Sequence, residues 1–273
     1  MSEGHVDLAF FLGCLIPNRL PEIEVATRLV CERLGIGLND MEGASCCPAP
    51  GVMRSFDKDL WLKISARNLD IASEMRMDIV TMCNGCYGTL KDSSMELKED
   101  DALCEEIRAS MKDVGRDLKR VVDVYHIVEY LYFDYGVEAL SKHVTNKLDC
   151  KVAAHYGCHL LKPVKYRRET NFEDPSFFDE LIEATGAKSI DYLEKNSCCG
   201  AGGGLRSGIK EVSLDIAKRK VATIKGADLI VTPCPFCHMQ LEQVSDIPVL
   251  YYTQLLALSM GFSNEELGLE VKI

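Results

Sequence analysis

A chain of 273 residues, 47% hydrophobic and 27% charged, is long enough for about two domains with an apolar core in each. Its net charge of −11 disfavours nucleic acid as a partner, because that affinity rests on neutralising phosphates with lysine and arginine. No apolar run approaches the ~18 residues of a membrane span, and the opening Met-Ser-Glu-Gly-His carries no basic leader. The expectation is a soluble cytoplasmic protein with no membrane span, whose thirteen cysteines are reduced thiols available to metal.

In chain order, Val6–Leu12 is a short apolar run that predicts a buried strand ending just before Cys14. Pro21–Leu34 begins with proline, carries Glu22 and Glu24 in its first turn and stops at Gly35, which predicts a helix. Helical periodicity returns over Asp57–Met75, and Ile79–Met82 predicts a second strand running into Cys83. The charged stretch Glu96–Arg120 reads as a surface helical excursion closing the first half. Beyond it, Val152–His155 and Leu229–Thr232 predict strands that run up to Cys158 and Cys234, with helices over Pro175–Ala184 and Ile209–Lys225. Strands alternating with helices predict an α/β fold with a mostly parallel sheet flanked by helices in each half. Ligands of such sheets gather outside the carboxyl ends of the strands, where Cys14, Cys83, Cys158 and Cys234 fall.

Ten cysteines form one pattern used twice. Cys14, Cys46-Cys47 and Cys83-Asn-Gly-Cys86 make the first set; Cys158, Cys198-Cys199 and Cys234-Pro-Phe-Cys237 make the second. The intervals are 31 and 35 residues in the first set and 39 and 34 in the second. The repeat extends further: Ser45-Cys-Cys-Pro-Ala-Pro-Gly51 parallels Ser197-Cys-Cys-Gly-Ala-Gly-Gly203, and Val124-Tyr-His126 parallels Leu250-Tyr-Tyr252. The offset changes between the first and second cysteine positions, which places extra residues in Pro163–Pro175. Two pseudo-symmetric lobes follow, residues 1–148 and 149–273.

A cubane [4Fe-4S] cluster or a structural zinc ion takes four protein ligands, whereas each lobe offers five thiols. Cys83 and Cys86 share a helix face and suit one cluster, close to the amides of a helix N-terminus. Adjacent cysteines such as Cys46 and Cys47 project in different directions and suit different irons of an extended assembly. The spacing therefore favours an iron–sulfur centre larger than one ion. Cys31, Cys104 and Cys150 lie outside both sets and read as packed thiols.

The two sets resemble the cysteine-rich CCG-domain family, and within it the B subunits of heterodisulfide reductases. The second lobe carries the strongest likeness, in His155-Tyr-Gly-Cys-His-Leu-Leu-Lys-Pro163, Cys198-Cys-Gly-Ala-Gly-Gly-Gly204 and Thr232-Pro-Cys-Pro-Phe-Cys-His238. The resemblance implies a non-cubane [4Fe-4S] cluster on Cys14, Cys46, Cys47, Cys83 and Cys86, and a second on Cys158, Cys198, Cys199, Cys234 and Cys237. It implies reduction of the coenzyme M–coenzyme B heterodisulfide to two thiols between the clusters. The expected partners are a flavin-containing subunit, plus a ferredoxin-like iron–sulfur subunit, since this chain has no ferredoxin cysteine run of its own. Pro48 stands where lobe two has Gly200, which leaves zinc in the first lobe as an alternative. Related chains serve lactate or glycolate oxidases and thiol-linked fumarate reductases, and a zinc-binding docking module is a further reading.

Several other side chains are candidates. His155 and His159 flank Cys158 and are expected as proton donors; His126 and His238 fit either a role near the metal or plain packing. Gly200, Gly202, Gly203 and Gly204 form the glycine-rich loop, with no Gly-Lys-Ser/Thr for nucleotide phosphate, and are expected to let substrate approach closely. Lys162, Lys165, Arg167, Arg168 and Arg206 form a locally basic region. Lys162 and Arg206 are expected to hold an anionic disulfide substrate, against the alternative of a solvated loop.

Overall fold

The computed structural model describes residues 6–271. Eight strands form two four-stranded parallel sheets. The first contains β1 (Val6–Phe11), β2 (Ile36–Asp40), β3 (Ile79–Thr81) and β4 (Val124–His126), in the order β2-β1-β3-β4. The second contains β5 (Lys151–Ala154), β6 (Lys188–Ile190), β7 (Leu229–Thr232) and β8 (Val249–Tyr251), in the equivalent order β6-β5-β7-β8. In each sheet the chain leaves the first strand one way and later returns on its other side, so the crossing direction reverses between β1 and β3 and between β5 and β7. The crevice at such a reversal is where open α/β sheets bind ligands.

The four central strands are buried along their length or at their carboxyl ends and coincide with the predicted apolar runs to within a residue or two. The four flanking strands were not predicted. β2 reads Ile-Gly-Leu-Asn-Asp and β6 reads Lys-Ser-Ile, short edge segments with half-exposed positions that lack an apolar run. Pairing also corrects the repeat register. Thr81 faces His126 and Thr232 faces Tyr251, so His126 corresponds to Tyr251 and not to Tyr252.

The long helices follow their sequence signals. Lys58–Met75 starts where the Asp57 side chain accepts a hydrogen bond from the Leu60 amide, and Pro21–Arg33 has proline in its first turn. The expected surface excursion over Glu96–Arg120 is corrected in part. A helix already running from Asn84 ends at Glu99, and a second helix, Asp101–Asp113, buries Cys104, Ile107 and Met111 while its charged face meets solvent.

The lobes exchange helices. Tyr252–Ser259, which follows β8, packs on Pro21–Arg33 of the first lobe, with Thr253 Oγ1 2.7 Å from Thr27 Oγ1. The segment after β4 reaches the other way: Tyr132 donates to Glu180 at 2.7 Å and Phe133 stacks near Phe177. One continuous apolar core therefore runs from Phe10 and Trp61 through Ile127 to Phe178 and Tyr252. The extra residues of lobe two occupy the segment between the helices Cys158–Leu161 and Phe177–Glu183, as the changed offset implies.

Candidate metal centre

Each cysteine position follows from the fold. Cys14 leaves β1 and caps the short helix Leu15–Arg19; Cys83 leaves β3 and caps Asn84–Glu99. Cys158 opens the helix Cys158–Leu161 after β5, and Cys234 caps Pro235–Glu242 after β7. Cys86 and Cys237 follow one helical turn later, on the same faces as Cys83 and Cys234. The paired cysteines lie on loops that return beneath these ends.

Within the first lobe, Cys46 Sγ lies 3.5 Å from Cys14 Sγ, and Cys47 Sγ lies 3.0 Å from Cys86 Sγ. The second lobe repeats the arrangement, with Cys158 hydrogen-bonded to Cys198 and Cys199 Sγ 3.2 Å from Cys237 Sγ. Adjacent cysteines bond each other and in addition reach different partners. The fifth thiols, Cys83 and Cys234, hydrogen-bond to one another across the lobe boundary. In the same lining, a Cβ on Gly51 would stand 3.1 Å from the Gly203 Cα. Gly51 and Gly203 are equivalent positions of the repeat, as are Cys83 and Cys234. A pseudo-twofold axis therefore runs between these two contacts.

A cavity of about 320 Å³ occupies that axis and is lined by all ten cysteines. Its remaining wall is largely apolar, with Leu12, Leu15, Ile16, Val52 and Phe236 among it. Gly13 and Gly157 precede the first cysteines with φ of +73° and +77°, a region that strains other residues. A Cβ at either would also approach the equivalent thiols, Cys86 Sγ at 3.1 Å and Cys237 Sγ at 3.4 Å.

The donor set suits a metal cluster. Hydrogen bonding from Cys158 and Cys199 pushes Cys198 down to about 2, and the Gly200 amide donates to its sulfur at 3.3 Å. Hydrogen bonds from Cys46 and Cys86 lower Cys47, and those from Cys237 and Cys83 lower Cys234, against opposing burial. Thiolate is the ligating form. Neither ring nitrogen of the fully buried His155 makes a well-aligned hydrogen bond, although the Lys195 backbone lies beside the ring, and His155, Cys199 and Cys237 present ligand atoms within 4.8 Å of one another. Buried polar atoms left open in this way are expected where a bound group completes them.

The other candidates divide. His159 lines the cavity and packs against Gly88 of the first lobe; burial lowers its pKa. His155 lies behind the thiols, outside the cavity lining, and burial pushes it down to about 3, so a neutral ring there faces Cys199 and Cys237 instead of substrate. Gly202, Gly203 and Gly204 line the cavity, whereas Gly200 packs against the helix Lys210–Thr223, where a Cβ would meet the Ser213 carbonyl at 2.6 Å. His126 accepts from the Val128 amide at 3.3 Å beside the Pro233 carbonyl, and His238 is buried 4.0 Å from Glu242. Cys31, Cys104 and Cys150 are buried away from the cavity.

The basic region is placed differently from the expectation. Lys162 is exposed and Arg206 bonds Gln240; neither lines the cavity. Their neighbours bind the first lobe: Lys165 pairs with Glu99 at 2.5 Å, Arg168 with Asp134, and Arg167 with Asp92 at 2.8 Å. Arg167 also donates to the carbonyls of His159 and Lys162, both at 3.1 Å, and its guanidinium lies over Tyr87. These cations are consumed in joining the lobes. Sequence reading missed Asn84, which lines the cavity and donates across the boundary to the Tyr156 carbonyl at 2.8 Å, and Tyr251, which donates to the Met82 carbonyl at 2.7 Å. Neither residue lies in a pattern that marks a tie between lobes.

Two parallel-sheet lobes that converge ten thiols on one axial cavity define a duplicated cysteine-rich metal protein. The family description "Cysteine-rich domain" (CCG) matches residues 8–91 and 152–242. The chain is 49% identical to the ferredoxin:CoB-CoM heterodisulfide reductase B subunit of Methanosarcina mazei, over 96% of this chain and 92% of that one. It is 36% identical to an Archaeoglobus profundus protein described as like the B subunit of heterodisulfide reductase, over 96% and 93%. It is also 29% identical to the 8-methylmenaquinol:fumarate reductase membrane anchor subunit of Wolinella succinogenes, over 96% and 95%. The chain belongs to the cysteine-rich CCG family, in the branch of heterodisulfide reductase B subunits. A solved structure of a hypothetical Helicobacter pylori protein shares the fold, with a TM-score of 0.70 at 13% identity; the match covers 97% of this chain and 51% of that one. Among the described residues no helix is long and apolar enough to cross a membrane.

Proposed function

We propose that this chain is the disulfide-reducing iron–sulfur subunit of a heterodisulfide reductase complex. In this reading Cys14, Cys46, Cys47, Cys83 and Cys86 hold one non-cubane [4Fe-4S] cluster, and Cys158, Cys198, Cys199, Cys234 and Cys237 hold the other. The observation that carries it is the lining of a single cavity by both five-thiol sets. The clusters supply electrons, which they pass singly, while disulfide cleavage takes two electrons and two protons to give two thiols.

The protein's own residues set the conditions for that reaction. Leu12, Leu15, Ile16, Val52 and Phe236 keep water from the sulfur–sulfur bond, and Gly202–Gly204 allow close approach of its flanks. His159 is the one ionisable side chain besides the cysteines that lines the cavity among the described residues. It is placed to relay protons to the departing sulfurs. With no lysine or arginine in that wall, the cavity receives the uncharged centre of the substrate, and anionic arms extend beyond it. Electrons arrive from a ferredoxin-like subunit, itself served by a flavin-containing one. The coenzyme M–coenzyme B heterodisulfide named for the Methanosarcina relative is the first substrate to test.

The test is anaerobic. The purified complex, given a reduced viologen and this heterodisulfide, should release two thiols for each disulfide consumed. Dye oxidation by fumarate without thiol release would place the chain with the fumarate reductase subunits instead. Zinc in place of iron would favour a centre on His155, Cys199 and Cys237 and reject disulfide reduction.

A further inference from the structure

The repeat is broken at one buried position next to the metal-binding loops. Lys58 and Lys210 open equivalent helices, and Asn68 and Lys220 occupy the same turn of each; every such pair, like Ser45 and Ser197, is separated by 152 residues. In lobe one, Asn68 is fully buried and its Oδ1 accepts from the Ser45 amide at 2.9 Å and the Ser45 hydroxyl at 3.3 Å. In lobe two, Lys220 is 1% exposed and its ammonium donates to the carbonyls of Glu194, of Lys195 at 3.1 Å and of Ser197 at 3.0 Å. Each residue thus braces the serine that precedes the paired cysteines, but one is neutral and the other cationic.

The partners of Lys220 are neutral carbonyls, and the Tyr192 ring lies 5.2 Å away; no ion pair to Lys220 is present among the described residues. Burial works against its ammonium form, which the nearby thiolates of Cys237, Cys199 and Cys198 and the Glu194 carboxylate favour. The other cations near the site differ: Arg54 of lobe one is half-buried and paired with Asp92 and Glu96, Arg167 of lobe two is paired with Asp92 across the boundary, and the buried Lys91 of lobe one lies over the Tyr125 ring facing Glu129 and Asp123. A buried cation held by neutral carbonyls in a low-dielectric interior stabilises added negative charge nearby.

We propose that Lys220 is a positioning and charge-setting residue that gives the second lobe the higher reduction potential. An electron delivered by an external one-electron reductant then resides on lobe two in preference to lobe one. The donor is oxidised by one electron, lobe two is reduced by one, and no bond is made or broken. This inference rests on the proposal that both lobes hold iron–sulfur clusters.

The experiment is an anaerobic redox titration of the iron-loaded complex, followed by electron paramagnetic resonance. The signal lost in Cys198→Ser identifies lobe two. In the parent, that signal should appear at the higher potential. Lys220→Met should move it to lower potential and leave the lobe-one signal in place, while Lys220→Arg should restore it. Asn68→Lys should raise the lobe-one potential and narrow the gap, and it decides the matter if Lys220→Met fails to fold or loses iron. Unchanged potentials in iron-replete Asn68→Lys, or a lobe-two signal at the lower potential in the parent, would overturn the proposal. A parent without iron would instead remove the cluster reading on which it rests.

Discussion

Replacing Arg167 by Met separates a clamp between lobes from a site for substrate. The Arg167 side chain is fully buried and that of Asp92 is 2% exposed, with the charges 2.8 Å apart. Removing one member of a buried pair typically costs about 3–5 kcal/mol, because the remaining charge is stranded. Here Arg54 still holds the second oxygen of Asp92 at 3.1 Å, so the lower end, about 3 kcal/mol, is expected. Two carbonyls, of His159 and Lys162, lose their donor as well. The assay is anaerobic urea unfolding of the iron-loaded chain followed by circular dichroism. Asp92→Asn combined with Arg167→Met should recover part of the loss, since no charge is then left buried. Arg168→Met is the control, because its pair with Asp134 is about one-third exposed on each side and such pairs are worth about 0–1 kcal/mol. A loss below about 1 kcal/mol for Arg167→Met would refute the clamp. A raised KM for disulfide at unchanged stability would return the segment to substrate capture.

Cys198→Ser and Cys199→Ser should each abolish disulfide reduction and remove the lobe-two signal, since a hydroxyl is a poor substitute for thiolate on iron; full activity with full iron content in both would reject the five-thiol set. Cys46→Ser or Cys47→Ser should lower iron content while lobe two keeps its spectrum, and loss of both signals would show that the shared core couples the two sites. Gly157→Ala should destabilise the chain by about 2–5 kcal/mol, combining a left-handed backbone with disruption of a buried hydrogen bond. The added Cβ would stand 2.3 Å from Asn84 Nδ2, which is bonded to the Tyr156 carbonyl; Gly202→Ala, with open space around it, should leave thermal stability unchanged. Lys162→Gln should shift stability by no more than about 0.5 kcal/mol and spare disulfide turnover, because Lys162 is exposed and outside the cavity lining.

The duplicated lobes were legible because the cysteines mark strand ends and the central strands are mostly apolar, with their carboxyl halves buried. β1, β3, β5 and β7 could be read from those runs, and convergence of Cys14 with Cys83 and of Cys158 with Cys234 follows from the parallel order. The edge strands were hidden because β6 needs only Lys-Ser-Ile when its neighbour supplies the hydrogen bonds. Contacts between lobes were equally hidden. Arg167 and Lys162 are five residues apart in the same basic stretch, yet one is buried against Asp92 and the other is exposed. Nothing local in the sequence separates them, because the carboxylate that decides lies 75 residues away. His155 and His159 likewise flank the same cysteine, but helix geometry sends only His159 to the cavity.

The central claim is that both five-thiol sets carry clusters around one cavity, and metal analysis of anaerobically purified protein tests it most directly. About eight iron and eight acid-labile sulfide per chain are expected, four of each per lobe, without zinc. Cys198→Ser should lose the half that belongs to lobe two. Four iron atoms in the parent with zinc making up the remainder, or an iron content indifferent to Cys198→Ser, would contradict it.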